Sequence, residues 1–313
     1  MTMRKWVAMA MASAALVASA GTADAQFGGL VGGLVKRAGV TLPSFRKEPI
    51  STSIADARWA DPGQDGFTPP TPRRDLAQLQ RTPNGGFLLQ AGYFGFHDQS
   101  YCLHAGTHGP GGGDGYLYAP PLGAARDAVI TIVQNSVRHP EIDQHTIQAL
   151  LWAILARARI ENLSNEQRVA AAQLMTPKQL AGLNRSVVDM LSAGPIADNL
   201  PREVRSVLQA EADLRRMLGT PGTSYAELEQ VAVLAGMAPL GAGSVEVPNG
   251  RWSHHPDGYW IRYLPSGYTN TVVEIWVPDG APGIGKEYDP ATHIAVPGNT
   301  ARQRLIQSGR AYR

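Results

Sequence analysis

The stretch GFLLQAGYFGFHDQSYCLHAGTHGPGGGDGYLYAPPL, residues 86–122, decides how this chain is read. Its first part is aromatic and β-prone, and the pattern predicts two short strands, at 92–97 and 99–104. A glycine loop follows at Gly111-Gly112-Gly113-Asp114-Gly115, then Tyr116-Leu117-Tyr118 before Pro120-Pro121. From about residue 123 to 238 the period changes to that of helices. Val129, Ile130, Ile132 and Val133 fit one buried face that ends before Pro140. A second helix is predicted over 141–160, apolar on nearly every side from Ala149 to Ala156 and therefore central. Ser164 with Gln167, and Thr176-Pro177 with Gln179, are capping signals for two more. Pro201 and Thr223 or Ser224 open the last two, which Gly219 and Gly236 close.

Beyond the helices the pattern turns aromatic and β-branched again. Strands at 259–264 and 271–277, with Pro265-Ser266-Gly267-Tyr268 between them, predict a β-hairpin, and a short helix is predicted over 300–307. The expected fold class is therefore α+β: a glycine- and aromatic-rich β segment, a helical middle and a small C-terminal β-hairpin region.

Upstream, residues 1–25 have the three parts of a cleavable signal peptide. Arg4 and Lys5 precede an apolar run from Trp6 to Ala18, and Ala23-Asp24-Ala25 offers small residues for cleavage before Gln26. That run is too short to span a bilayer, which takes about 20 apolar residues. An exported protein is the expectation, in the periplasm, at the cell surface or outside the cell, with no transmembrane span after signal cleavage. Residues 26–85 comprise a Gly-rich segment followed by a Pro-rich linker that includes Thr68-Pro69-Pro70-Thr71-Pro72. The expected organisation is thus 1–25, 26–85, a β-plus-helical domain over 86–240 and the hairpin region over 241–313.

Loss of residues 1–25 removes two basic residues and one acidic one, taking the formal charge from +2 to +1. So small a charge gives no electrostatic case for nucleic acid. The glycine run lacks the lysine of a phosphate loop, and no cofactor is expected.

The single cysteine, Cys102, is the informative residue, because an exported chain with one cysteine cannot form an internal disulfide. On a strand, Ser100, Cys102 and His104 share one face, and Tyr101 and Leu103 the other. At the entry to the most apolar helix, Gln148, Leu151, Trp152 and Leu155 share a stripe. An amide on a buried helix requires a specific partner, since burying one unpaired costs about 1–3 kcal/mol.

Tyr101-Cys102, followed by Gln148 and Trp152, resembles the secreted bacterial thioester domains of surface adhesins, which carry a Tyr-Cys pair and a Thr-Gln-x-Ala-x-Trp helix. The resemblance covers about residues 92–155. Ile147 stands where that family has threonine, with Thr146 displaced by one, and Leu150 replaces the alanine. It implies that Cys102 and Gln148 condense, with loss of ammonia, to an internal thioester that an amine or hydroxyl of a surface protein or cell-envelope component attacks. Tyr101 and Trp152 would shield the bond, and His104 would move the proton.

Three other readings use the same residues. Cys102 as nucleophile, with His104 or His108 as base, would make a cell-envelope hydrolase or transpeptidase. His97, Cys102, His104 and His108 are an alternative metal set, of a kind that zinc or copper accepts. A non-catalytic protein would use Cys102 as a small hydrophobe, with Trp252, Tyr259, Trp260, Tyr263, Tyr268 and Trp276 serving as core or as a binding platform.

Overall fold

The structure, a computed structural model, describes residues 48–57, 66–183 and 202–312. The expected signal peptide, the Gly-rich segment and Pro201 lie outside them. The class is α+β. Eight strands form one sheet: β1 (Arg73–Asp75), β2 (Gly92–Cys102), β3 (Tyr116–Ala119), β4 (Ser253–His254), β5 (Trp260–Pro265), β6 (Asn270–Val277), β7 (Ile294–Pro297) and β8 (Leu305–Ala311). Their order is β3-β7-β8-β2-β6-β5-β4, antiparallel throughout, with β1 parallel to the start of β2. The two end strands meet where Tyr118 N–H donates to Ser253 Oγ at 3.0 Å, so the sheet is nearly closed.

Among the described residues, six helices leave and re-enter the sheet at that seam, between β3 and β4: α1 (Arg126–Ser136), α2 (Gln144–Leu155), α3 (Asn165–Leu174), α4 (Pro177–Leu183), α5 (Arg202–Leu218) and α6 (Tyr225–Ala232). The helix starts follow the capping signals. Ser164 with Gln167, and Ser224 with Glu227, form reciprocal capping boxes, and Thr176 Oγ1 accepts from Gln179 N–H. Helix α2 is shorter than the predicted 141–160. Asp143 caps its N-terminus, and Arg157 at φ 54° turns the chain into the left-handed region just past its end. Ten of its twelve residues are buried, which makes it the central helix.

Four sequence expectations are corrected. The two strands predicted at 92–97 and 99–104 are the single strand β2. The polar His97-Asp98-Gln99 step that suggested a break is absorbed sideways, where Asp98 accepts from the N–H groups of Ser308 (3.2 Å) and Gly309 (2.8 Å) at an irregularity in β8. The predicted helix over 300–307 is instead a turn leading into β8, whose Leu305 and Ile306 pair with Cys102 and Tyr101. The described part of the 26–85 linker packs on the domain: Ile50, Leu76 and Leu79 are buried, and Arg73 donates to Glu274 of β6 at 2.7 Å. The C-terminal hairpin, β5 and β6, is no separate region either. Its strand β6 is the direct neighbour of β2, and one core runs through Phe94, Leu151, Trp152, Ile261, Val273 and Leu305.

Candidate functional site

Strand β6 stops pairing with β2 at Asn270 opposite Gln99, which would leave the last residues of β2 with an open edge inside the core. Helix α2 covers that edge with two glutamines one turn apart. Gln144 Nε2 donates to Ser100 O at 3.1 Å and to Thr269 O at 2.6 Å. One turn on, Gln148 Oε1 accepts from Cys102 N–H at 2.8 Å while its Nε2 donates to Cys102 O at 3.0 Å. A side-chain amide in that orientation imitates a neighbouring strand, and the backbone's own polarity fixes which amide atom is oxygen.

Trp152, one further turn along α2, donates its indole N–H to the Cys102 sulfur at 3.0 Å. The carboxamide and the sulfur therefore belong to one buried cluster, with Cys102, Gln148 and Trp152 all at 0–1 % exposure. Burial pushes the Cys102 thiol up to about 12, and the Glu229 charge adds to the rise against the lowering effect of the Trp152 hydrogen bond. Reactive cysteines sit beside cations that lower the thiol pKa, which is the opposite environment. In the thiol form, native Cys102 is expected to react with iodoacetamide about 10³-fold more slowly than in denaturant, from its thiolate fraction alone. Timed alkylation read by mass would measure this, and equal rates would contradict the buried sulfur.

The remaining site candidates are placed as follows. Tyr101 is buried but is not part of the shield. Its hydroxyl lies 3.4 Å from Gln99 Oε1, among Asp98, Ser308 and Arg310. His104 is buried, and desolvation together with the Arg304 cation drives its pKa well below the usual value, so its ring is neutral. The hydrogen bond to the sulfur comes from Trp152. The alternative metal set does not come together: no cluster of three or more His, Cys, Asp or Glu suited to a metal occurs among the described residues. His97 instead pairs with Asn270 Oδ1 at 3.0 Å, and His108 lies in the two-residue ladder Thr107–His108 with Val233–Leu234. Asp114 of the glycine loop holds Arg302 at 3.0 Å and the Gly111 N–H at 2.6 Å.

The cover over the cluster comes from residues that no motif marked. Tyr225 of α6 stacks on Trp152, with ring centres 5.4 Å apart, and its hydroxyl meets that of Tyr268 at 2.9 Å. Tyr268, in the β5–β6 turn, donates in turn to Glu229. The only hint in the sequence was the capping box at Ser224, which places Tyr225 at the start of its helix. The aromatic residues of the hairpin are largely core. Trp252, Tyr259 and Tyr263 are fully buried, and Phe67 stacks on Trp252 at 5.2 Å.

Among the described residues no helix is long and apolar enough to cross a membrane. No family model, curated protein or solved structure matches the chain.

Proposed function

We propose that this is an exported protein whose Cys102 and Gln148 condense to an internal thioester, and that the bond serves covalent attachment to a surface or cell-envelope partner. The observation that carries the reading is the docking of the Gln148 carboxamide on Cys102 itself, through both amide atoms, at 2.8 and 3.0 Å. The carboxamide carbon lies between those two atoms, against the residue whose sulfur would attack it. Docking the carboxamide on the backbone of the residue that carries the sulfur makes the condensation an intramolecular one.

The step balances without a cofactor. The sulfur adds to the Gln148 carbonyl carbon, the C–N bond breaks, the thiol proton leaves with nitrogen and ammonia departs. Attack by an amine then breaks the C–S bond, forms an amide and returns the proton to sulfur. Edge capping alone accounts for Gln144, which lies beside no sulfur. The buried sulfur, the indole N–H aimed at it and the double tyrosine cover go beyond edge capping, and water exclusion is what an acyl–sulfur bond requires.

Intact mass tests the proposal. The native protein should be one ammonia lighter than its sequence, and methylamine should replace that ammonia and release an alkylatable thiol. A Cys102→Ala variant should carry its full sequence mass. Native protein at full mass, with a thiol that alkylates on unfolding, would refute the thioester.

A further inference from the structure

A cleft of about 570 Å³ lies between the end of α6 and the glycine loop. Val233, Leu234 and Met237 give it apolar walls, and Glu229 and Arg302 are its two charged residues. Arg302 is already committed, to Asp114 at 3.0 Å and to Gly109 O at 2.6 Å. Glu229 is therefore the carboxylate of the cleft with no cation opposite it among the lining residues. The same carboxylate accepts from Tyr268, and Tyr268 meets Tyr225, which lies on Trp152 beside the sulfur. Cleft and cluster are thus joined by a single chain of contacts, Glu229–Tyr268–Tyr225–Trp152–Cys102.

We propose that this cleft is the approach for the attacking nucleophile and that Glu229 makes it selective for an alkylammonium group, positioning a cationic primary amine in preference to a neutral nucleophile. The inference rests on the thioester reading. Cys102 and Gln148 are inaccessible while Tyr225 and Tyr268 are linked, so an incoming group must part the two tyrosines. An ammonium offers Glu229 an ion pair in which donor and acceptor are both charged, in place of the bond from the uncharged Tyr268 hydroxyl. Tyr268 is released as the amine arrives. The ammonium gives a proton to Glu229, which passes it to solvent. The free amine attacks the acyl carbon, the C–S bond breaks, and the sulfur takes up the second proton lost by nitrogen as the amide forms.

Decay of the thioester, followed by intact mass, tests the inference. The cationic probes are Nα-acetyl-lysine amide, for a lysine side chain, and a short free diamine, and the faster of the two identifies the source of the amine. Hydroxylamine, uncharged at neutral pH, is the reference. Glu229→Gln should lower the ratio of the cationic to the hydroxylamine rate about two- to fivefold, and Glu229→Asp should retain most of it. The unmodified protein gives an independent reading: its ratio should fall as salt screens the carboxylate. A ratio that is indifferent both to Glu229→Gln and to salt overturns the selectivity while leaving the thioester intact. A native protein that has lost no ammonia overturns both.

Discussion

Gln148→Ala should cost about 3–5 kcal/mol of folding stability, against about 1 kcal/mol for Gln144→Ala, although both remove a glutamine from the same face of α2. Gln148 is almost wholly buried and satisfies the N–H and the C=O of Cys102, two groups that water cannot reach once the side chain is gone. Each buried backbone group left unpaired costs about 1–3 kcal/mol, and the lost methylenes add a cavity. Gln144 is half-buried, and the carbonyls of Ser100 and Thr269 that it serves lie nearer the surface end of the helix. Gln148→Glu is the sharper variant, because one carboxylate oxygen would face the Cys102 carbonyl that Nε2 now serves. Cys102→Ser, which keeps the backbone pair and an acceptor for Trp152, separates this effect from loss of a thioester. Urea denaturation of the variants gives the comparison. Equal, small losses for Gln144→Ala and Gln148→Ala would show that the edge of β2 is satisfied in some other way.

That edge also marks how far the sequence could be read. The buried amide was legible because Gln148 shares a stripe with Leu151, Trp152 and Leu155, and an amide on such a stripe requires a partner. Helix starts were legible because Ser164, Thr176 and Ser224 cap them locally. Long-range pairing was not. Nothing local indicates that the 270–277 strand lies against 92–99, or that 305–311 lies beside both Asp98 and Cys102. The unity of β2 was hidden for the same reason: Asp98 inside a strand looks like a break until the amides of Ser308 and Gly309 reach it from nearly the other end of the chain. Glu229 and Tyr225 carry no signal of a covering role, and Tyr268 is legible only as a turn aromatic, because a helix surface and a turn have no periodic pattern that tells what they cover. The Tyr101 shield failed on alternation, since neighbours along a strand point to opposite faces.

Acid should destabilise the protein through His293, and His293→Gln should remove part of that loss. At the seam of the sheet, His293 Nδ1–H donates to Asp289 O at 2.8 Å, which leaves Nε2 to accept from the Tyr259 hydroxyl at 2.7 Å. Both ring nitrogens are committed to the neutral tautomer in a fully buried site, and burial brings the pKa down to about 3. His255, stacked 5.0 Å away, is brought down to about 4 by burial, with Asp257 opposing. The unfolded chain protonates such residues near pH 6.5, so it binds more protons than the native state everywhere below that value. The stabilisation is complete above about pH 6.5 and is lost as pH falls towards 4, at a limiting slope of about 1.4 kcal/mol per pH unit for each histidine. Asp98 works in the opposite sense. Burial raises its carboxyl to about 8 against the Ser308 and Gly309 hydrogen bonds and the Arg81 charge, so its native state holds a proton that the unfolded state releases. The total pH profile therefore mixes both signs, but Asp98 is common to the two proteins and cancels in their difference. Between pH 6.5 and 4.5 the parent should lose about 2–3 kcal/mol more than His293→Gln in urea titrations. Parallel curves would mean that His293 accepts its proton without breaking the Tyr259 hydrogen bond, and that the seam between β3 and β4 opens in acid at lower cost than its burial implies.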